Sequence, residues 1–272
     1  MCGTSTFFRL YTKNQKIHSL MFESLRLVVS GAEKLREDVR IEFKKRFAKD
    51  ILEGFGTTET SPVATCNLPD VLSPDFSIQK GQKAGTVGMA IPGTTIKVVD
   101  PVTFKELKVN EEGMILISGI QVMKSYLDDE DRTKKALKVI NAKTYYITGD
   151  KGKLDEDGFL TIVDRYSRFA KIGGEMISLG AIEELISKFI ESTDNLIDFL
   201  VTSLEDEKKG EKIILLISNA NKEFIQELKE KILKNFDNKL MIPSEIKIVE
   251  EIPKLGSGKK DFVKAKYLAS QE

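Results

Sequence analysis

The chain has no tryptophan, a single histidine, two cysteines, and no apolar run near the roughly 18 residues that a transmembrane helix needs. Each shortage excludes a class of function. With only His18, set in the polar stretch YTKNQKIHSL, a Ser-His-Asp relay or a histidine-built metal site has almost no raw material, and His18 is read as exposed and non-catalytic. Cys2 and Cys66 stand far apart without metal-ligand spacing, which rules out a disulfide scaffold or a cysteine-rich zinc site and fits a reducing compartment; both are read as buried structural residues. Net charge is also missing. The 42 basic residues balance the 42 acidic ones, so no global field recruits DNA, RNA or anionic lipid, and nucleic acid is not expected as a partner. The start MCGTSTFFRLYTKNQK is too polar for a signal peptide, so the chain is expected to be soluble by itself.

What is present is 272 residues with 41% hydrophobic content, enough for one large or two modest domains at about 100 to 200 residues each. LRLVV (Leu25 to Val29) reads as a buried strand ending at Ser30 and Gly31, a helical stripe follows at Leu35, Val39, Phe43 and Phe47, and ILEGFG reads as a second strand entering a glycine turn. That order predicts an α/β layer over 1–83, with ligand loops at the strand ends. Over 84–166 the texture changes to short β-like runs (TVGMAIPG, TTIKVVD, GMILISG, TYYITGD, GFLTIVD), expected as a small barrel-like subdomain, with DDEDRTKKAL as a short surface helix inside it. Beyond it, Leu179, Ile182, Leu185, Ile186 and Phe189 share one helical face. Phe224, Ile225, Leu228, Ile232 and Phe236 share another. Alternating with the runs NLIDFLVTSL, KIILLIS and EIKIVEEIP, they predict a compact α+β domain over 167–272.

Three segments carry residue types suited to a nucleotide. In GFGTTET, Gly54 and Gly56 allow backbone to approach a ligand, Phe55 offers a flat face for a base, threonine hydroxyls can meet phosphate and Glu59 can hold Mg2+, although such a string is ordinarily just a loop. In YYITGD, Asp150 follows a strand and a glycine, where it can accept two hydrogen bonds from a vicinal diol or simply form a turn. GSGK (Gly256 to Lys259) fails as a Walker motif, since Pro253 stands where glycine is needed and Lys260 where Ser or Thr is needed; a P-loop kinase is thereby set aside. A glycine-flanked lysine on such a turn is better suited to reaching into a site, the alternative being a solvated basic turn.

Taken in order, SGAEKL, GFGTTETSP, AGTVGMAIPG, YYITGDKGKLDEDGFLTIVDR, FAKIGGEMISLGAIEEL and PKLGSGKKDF resemble the adenylate-forming superfamily of acyl ligases, peptide-synthetase adenylation domains and luciferases, from about Leu25 to the end of the chain. Among its branches, LRLVVSGAEKL, GEMISL and LGSGKKDFVKAK look most like the synthetase part of bifunctional 2-acylglycerophosphoethanolamine acyltransferase/acyl-acyl carrier protein synthetases. The resemblance implies ATP and Mg2+ as cofactors, a fatty acid as substrate, and the phosphopantetheine thiol of acyl carrier protein, or alternatively coenzyme A, as acceptor. Carried over by position, Gly31, Ala32 and Glu33 would border adenine, Phe55 between Gly54 and Gly56 would stack on it, Thr58 and Glu59 would meet phosphate and Mg2+, and Asp150 assisted by Arg165 would hold the ribose hydroxyls. Lys259 would contact the carboxylate and the phosphate-bridging oxygen. A hinge at Ser167 would exchange the Lys259 loop for the loop of Lys171, Gly173, Gly174 and Glu175, which would line a thiol channel.

The sequence also departs from that pattern. Serine stands at the hinge position where most members have Asp or Lys, and the Gly-Tyr pair common before the linker helix appears as Ser125 and Tyr126. The family's Ser/Thr/Gly-rich phosphate loop and much of its acyl pocket belong upstream of LRLVVSGAEKL, so the expectation is a C-terminal portion of a longer protein: 1–166 the end of the large nucleotide domain, 167–272 its lid. Alone it is expected to be inactive, and the full protein is expected at the cytoplasmic face of an inner membrane through its missing part. The competing reading is a non-catalytic module that keeps a nucleotide or carrier-protein surface.

Overall fold

The computed structural model describes residues 1–190, 197–256 and 259–271. Its contacts divide the chain into two compact units, Met1–Val163 and Asp164–Glu272.

In the first unit, β1 (Cys2–Gly3), α1 (Ser5–Lys13), β2 (Val29–Ser30), α2 (Glu37–Phe47) and β3 (Leu52–Phe55) run in βαβαβ order, with β1, β2 and β3 parallel. The predicted stripe explains α2: Val39, Phe43 and Phe47 are buried on one face, and Leu35 is buried just before the helix. They pack with Phe8 of α1 and with Phe22, the four phenylalanine rings lying 4.5 to 5.8 Å apart between centroids. Asp38 ties the two helices by accepting from Arg9 at 2.6 Å and from Arg36 at 3.1 Å. LRLVV enters the sheet only at Val29. Its neighbours give it two partners on each side, Cys2 and Gly3 against Leu52 and Glu53, so Leu25 joins the helical cluster instead of the ladder. Cys2, read as buried, is exposed, because β1 is the edge of the sheet, and Cys66 is half-buried.

The sheet continues antiparallel through β4 (Thr65–Cys66); a separate hairpin, β5 (Val71–Leu72) with β6 (Ile78–Gln79), precedes its last strand, β7 (Met89–Ala90). TVGMAIPG contributes only those two residues of strand. Beside them, at Gly88, a Cβ would lie 1.9 Å from the Cys66 carbonyl carbon, a crossing that only glycine permits. A second sheet contains β8 (Thr94–Val99), β9 (Gly113–Gly119), β10 (Leu137–Ile140), β11 (Lys143–Leu154) and β12 (Leu160–Arg165), in the order β10-β11-β9-β8 with β12 also on β11. Between β9 and β10 lies α3 (Glu130–Ala136), capped by Asp129 and without a buried residue, as its charge pattern predicts.

The second unit opens with β13 (Phe169–Ile172) and β14 (Glu175–Ser178), a hairpin followed by α4 (Leu179–Ile190). The antiparallel pair β15 (Asp198–Asp206) and β16 (Gly210–Ser218), the helix α5 (Lys222–Asn235), the parallel strand β17 (Glu245–Ile248) and α6 (Phe262–Ser270) complete it. Alternation along β15 and β16 sends Phe199, Val201, Ile213, Leu215 and Ile217 to a core with α4 and α5, and Leu200, Ile214 and Leu216 to a second core with α6. Of the strand expected over NLIDFLVTSL, Asn195 and Leu196 lie outside the described residues, as do Ser257 and Gly258 of GSGK.

Candidate active site

Parallel strands deliver their following loops to one end of the sheet. The register Val29 to Leu52 and Ser30 to Glu53 therefore brings Gly31-Ala32-Glu33 and Gly54-Phe55-Gly56 side by side, at the carboxyl edge where open α/β sheets bind ligands. A Cβ built on Gly31 would lie 3.6 Å from the Gly54 carbonyl oxygen, and Ala32 adopts φ 69°. Glu33 is already engaged: its Oε1 accepts from the Thr6 amide at 2.8 Å, in the first turn of α1. Gly56 is required by space, since a Cβ there would sit 1.9 Å from the Pro62 carbonyl oxygen. Phe55 packs part of its ring against the cluster of Ala64, Ile115, Ile117 and Leu160. Thr58 is exposed on a short turn with Glu59.

Glu59 has an anchor that the sequence did not announce. The Tyr126 hydroxyl donates to its Oε1 at 2.6 Å, and the Arg132 guanidinium stacks 4.0 Å from the Tyr126 ring centroid. Burial raises the Glu59 carboxyl, but hydrogen bonds from Tyr126, from its own backbone and from Thr57 and Tyr146 outweigh it and hold the group below its ordinary value. Glu59 is thus ionised at neutral pH, with lone pairs to spare for a hard cation. Tyr146 faces the same place. Burial first, then the charge of Glu59 and, more weakly, of Asp150, push its hydroxyl up to about 12, so it stays a donor.

Asp150 is set by an irregularity in β11. From Ile147 to Lys151 this strand advances four residues while β9 moves two, from Leu116 to Met114, a bulge that breaks the ladder beside Asp150. Gly149 supplies φ 74° within it, and the Thr148 hydroxyl donates to the Ile115 carbonyl and accepts from the Asp150 amide, each at 2.9 Å. The result is a carboxylate 3% exposed in the same neighbourhood as Glu59. Among the described residues no group of three or more His, Cys, Asp or Glu side chains could hold a metal ion. A lone ionised carboxylate such as Glu59 is the kind of ligand that Mg2+ takes when phosphate oxygens and water complete its shell.

The remaining predicted residues belong to the second unit. Arg165 and Ser167 are exposed at its start, Ser167 within a single turn of 3-10 helix. Gly173 and Gly174 form the two-residue turn between Ile172 and Glu175 at φ 59° and 91°, the left-handed pair that a tight hairpin demands. Lys171 and Glu175 flank it on exposed strand positions, the Lys171 amide donating to Glu211 at 2.6 Å. Lys259 is exposed, its carbonyl accepting from the Leu255 amide at 2.8 Å. His18 is exposed as expected; its Nδ1 accepts from the Leu20 amide at 3.3 Å.

The structure therefore gathers Gly31, Gly54 and Gly56 at one sheet edge and Glu59 with Asp150 around Tyr146, whereas Arg165, Ser167, the Lys171–Glu175 turn and Lys259 are parts of the other unit. Sequence reasoning gave Tyr146 no role, noted Tyr126 only as part of an altered Gly-Tyr pair, and read Thr57 as a hydroxyl for phosphate rather than as a partner of Glu59. The adjacent pair in YYITGD carried a usable signal: in a strand, neighbours face opposite ways, so with Tyr145 in the core Tyr146 had to point elsewhere.

Residues 1–127 match the family described as AMP-binding enzyme. The 4-coumarate–CoA ligase 2 of Nicotiana tabacum is 31% identical over 252 residues, 91% of this chain and 44% of that protein, and the luciferin 4-monooxygenase of Photuris pensylvanica is 29% identical, covering 94% and 44%. Among solved structures, the ATP-bound RpMatB–BxBclM chimera superposes with a TM-score of 0.82 at 25% identity, over 98% of this chain and 50% of that one. The chain spans about half the length of the relatives it matches. On these likenesses, residues 1–127 belong to the AMP-binding enzyme family, and the chain has the fold of the adenylate-forming ligases.

Proposed function

We propose that this chain is the C-terminal portion of an ATP-dependent acid–thiol ligase, with 1–166 ending its large nucleotide domain and 167–272 forming a small lid. The acid is a fatty acid. Its carboxylate displaces pyrophosphate from ATP to give an acyl-adenylate, and the phosphopantetheine thiol of acyl carrier protein then takes the acyl group as a thioester, releasing AMP. The observation that carries this reading is the pairing of an ionised, hydroxyl-anchored Glu59 with a buried Asp150 on a bulge: one carboxylate for a phosphate-bound cation, the other for a ribose diol. Mg2+ would neutralise charge on the phosphates. Gly31, Ala32 and Glu33 border the base and Phe55 lies against it; Thr58 meets phosphate, Arg165 assists Asp150, and Lys259 stabilises charge as the carboxylate attacks. No general base is needed, because the acid attacks already ionised. Ser167 serves as hinge, and Lys171, Gly173, Gly174 and Glu175 line the thiol path.

A second reading of the acceptor, coenzyme A, is favoured by the 4-coumarate–CoA ligase among the relatives. Attachment of the longer protein to the inner membrane would have to come from elsewhere, since among the described residues no helix is long and apolar enough to cross a membrane. The test is Mg2+-dependent pyrophosphate exchange with fatty acids, followed by transfer to carrier protein and to coenzyme A. In the full-length ligase, Lys259→Ala lowers exchange by about 10²- to 10³-fold, the loss typical of a removed charge-stabilising donor. Unchanged exchange would take Lys259 out of the chemistry. The chain alone shows no exchange; robust activity from it would refute its inactivity.

A further inference from the structure

Two lysines stand side by side at the end of the PKLGSGKK turn, and the structure treats them in opposite ways. Lys259 is exposed and makes no ion pair among the described residues. Lys260 turns inward: its Nζ donates to the Phe199 carbonyl at 2.6 Å, lies 5.1 Å from the Phe199 ring centroid and sits 3.9 Å from Glu183 Oε2. The other side of the turn is held at the same place, for Lys254 pairs with Asp198 at 2.8 Å, so both flanks are fastened to the first residues of β15. Backbone bonds also join the two flanks, Leu255 donating to the Lys259 carbonyl and Asp261 to the Pro253 carbonyl, each at 2.8 Å.

Glu183, on the inner face of α4, is where this fastening meets the start of the unit. Its Oε1 accepts from the Val201 amide at 2.8 Å and lies 2.9 Å from Arg168 Nη2, and the Arg168 and Glu183 side chains are only 13% and 16% exposed. Arg168 follows Ser167 directly, and its guanidinium stacks 4.3 Å from the ring of Phe262, the first residue of α6. One carboxylate thus ties the segment after Ser167, the α4 helix, β15 and the lysine turn into a single charged cluster. An enclosed Arg168–Glu183 pair adds little stability over apolar packing of the same volume, which leaves fixing the geometry of these segments as its role here.

We propose that Arg168, Glu183 and Lys260 form a positioning clamp that presents Lys259 outward and locks the lysine turn to the Ser167 segment, so that the two move together. Lys260 and Glu183 are positioning residues and act through Lys259. This rests on the role assigned above to Lys259, and the experiment separates the two. In this chain, amide exchange at Leu255 and Asp261 is compared with exchange at core positions such as Ile214, for Lys260→Met, Lys260→Arg and Glu183→Gln; methionine keeps the apolar stem, and glutamine keeps the acceptor for Val201. Exchange at the turn rises at least tenfold in Lys260→Met and Glu183→Gln, rises less in Lys260→Arg, and stays unchanged in the core. In the full-length ligase, Lys260→Met lowers kcat for adenylation with little change in KM, leaves transfer from supplied acyl-adenylate intact, and adds no further loss to Lys259→Ala. Turn and core exchange rising equally, or a Lys260→Met loss that adds fully to that of Lys259→Ala, would overturn the clamp. If Lys259→Ala itself leaves adenylation unchanged while the exchange results come out as stated, the clamp stands and the assigned chemistry falls.

Discussion

At the level of single residues, the site depends on how carboxylates are held. The Tyr126 hydroxyl keeps Glu59 below its ordinary value, and a carboxyl depressed in the folded state stabilises the protein above its unfolded pKa and loses that contribution as pH falls through the folded one. Tyr126→Phe is therefore expected to raise the Glu59 pKa and to lower stability near neutral pH by about 1 kcal/mol, a value reduced for partial solvent exposure. The deficit fades as the solution is acidified and Glu59 is protonated in both proteins. A carboxyl-carbon NMR titration with urea melts at several pH values checks it, and an unmoved Glu59 titration would refute the assignment. Gly56 is set by space rather than charge. With a Cβ 1.9 Å from the Pro62 carbonyl oxygen, Gly56→Ala must displace backbone, and a loss of about 3 kcal/mol is expected in chemical denaturation.

At the level of elements, the second unit shows how local chemistry fixes a junction. The Asp164 Oδ2 accepts from the Ser178 hydroxyl at 2.5 Å and from the Gly180 amide at 2.9 Å, while Ser178 Oγ accepts from the Ala181 amide at 3.0 Å, so the first turn of α4 is capped by a residue from β12. Asp164→Ala should cost about 1 to 2 kcal/mol, as loss of a cap does, read as a lowered urea midpoint with an unchanged m value. Gly180 allows the approach, since its Cβ would fall 2.5 Å from that oxygen. The Gly173–Gly174 turn differs. A Cβ there meets nothing within 4 Å, so Gly173→Ala carries only the left-handed backbone cost of about 1 to 2 kcal/mol in urea melts, and Gly173→Asn, which tolerates that region, recovers most of it.

At the level of the whole molecule, the chain is two bodies with separate cores. Residues 164–272 bury Ile182, Ile186, Ile213, Leu215 and Leu228 on one side of a sheet and Leu200, Ile214 and Ala265 on the other, which is the property of an independently folding domain. Expressed alone, this segment is expected to unfold cooperatively in urea with an m value of about 1 to 3 kcal/mol/M; a broad, non-cooperative melt would contradict it. Much of this was legible in the sequence. The stripes at Val39, Phe43 and Phe47 and at Ile182 and Ile186 specified α2 and α4, and the apolar runs specified β9 and β16, because periodicity is a property of neighbouring residues. The length of β2 was not legible, since a strand extends only as far as its partners do. Neither was the bulge that sets Asp150, which is a mismatch between two strands rather than a feature of one. The sequence by itself thus determined the local elements and the residue types available for chemistry. Only the tertiary structure decided that Tyr126 meets Glu59 and that Glu183 meets both Arg168 and Lys260, because those contacts join distant segments and exist only once the sheets have set their spacing.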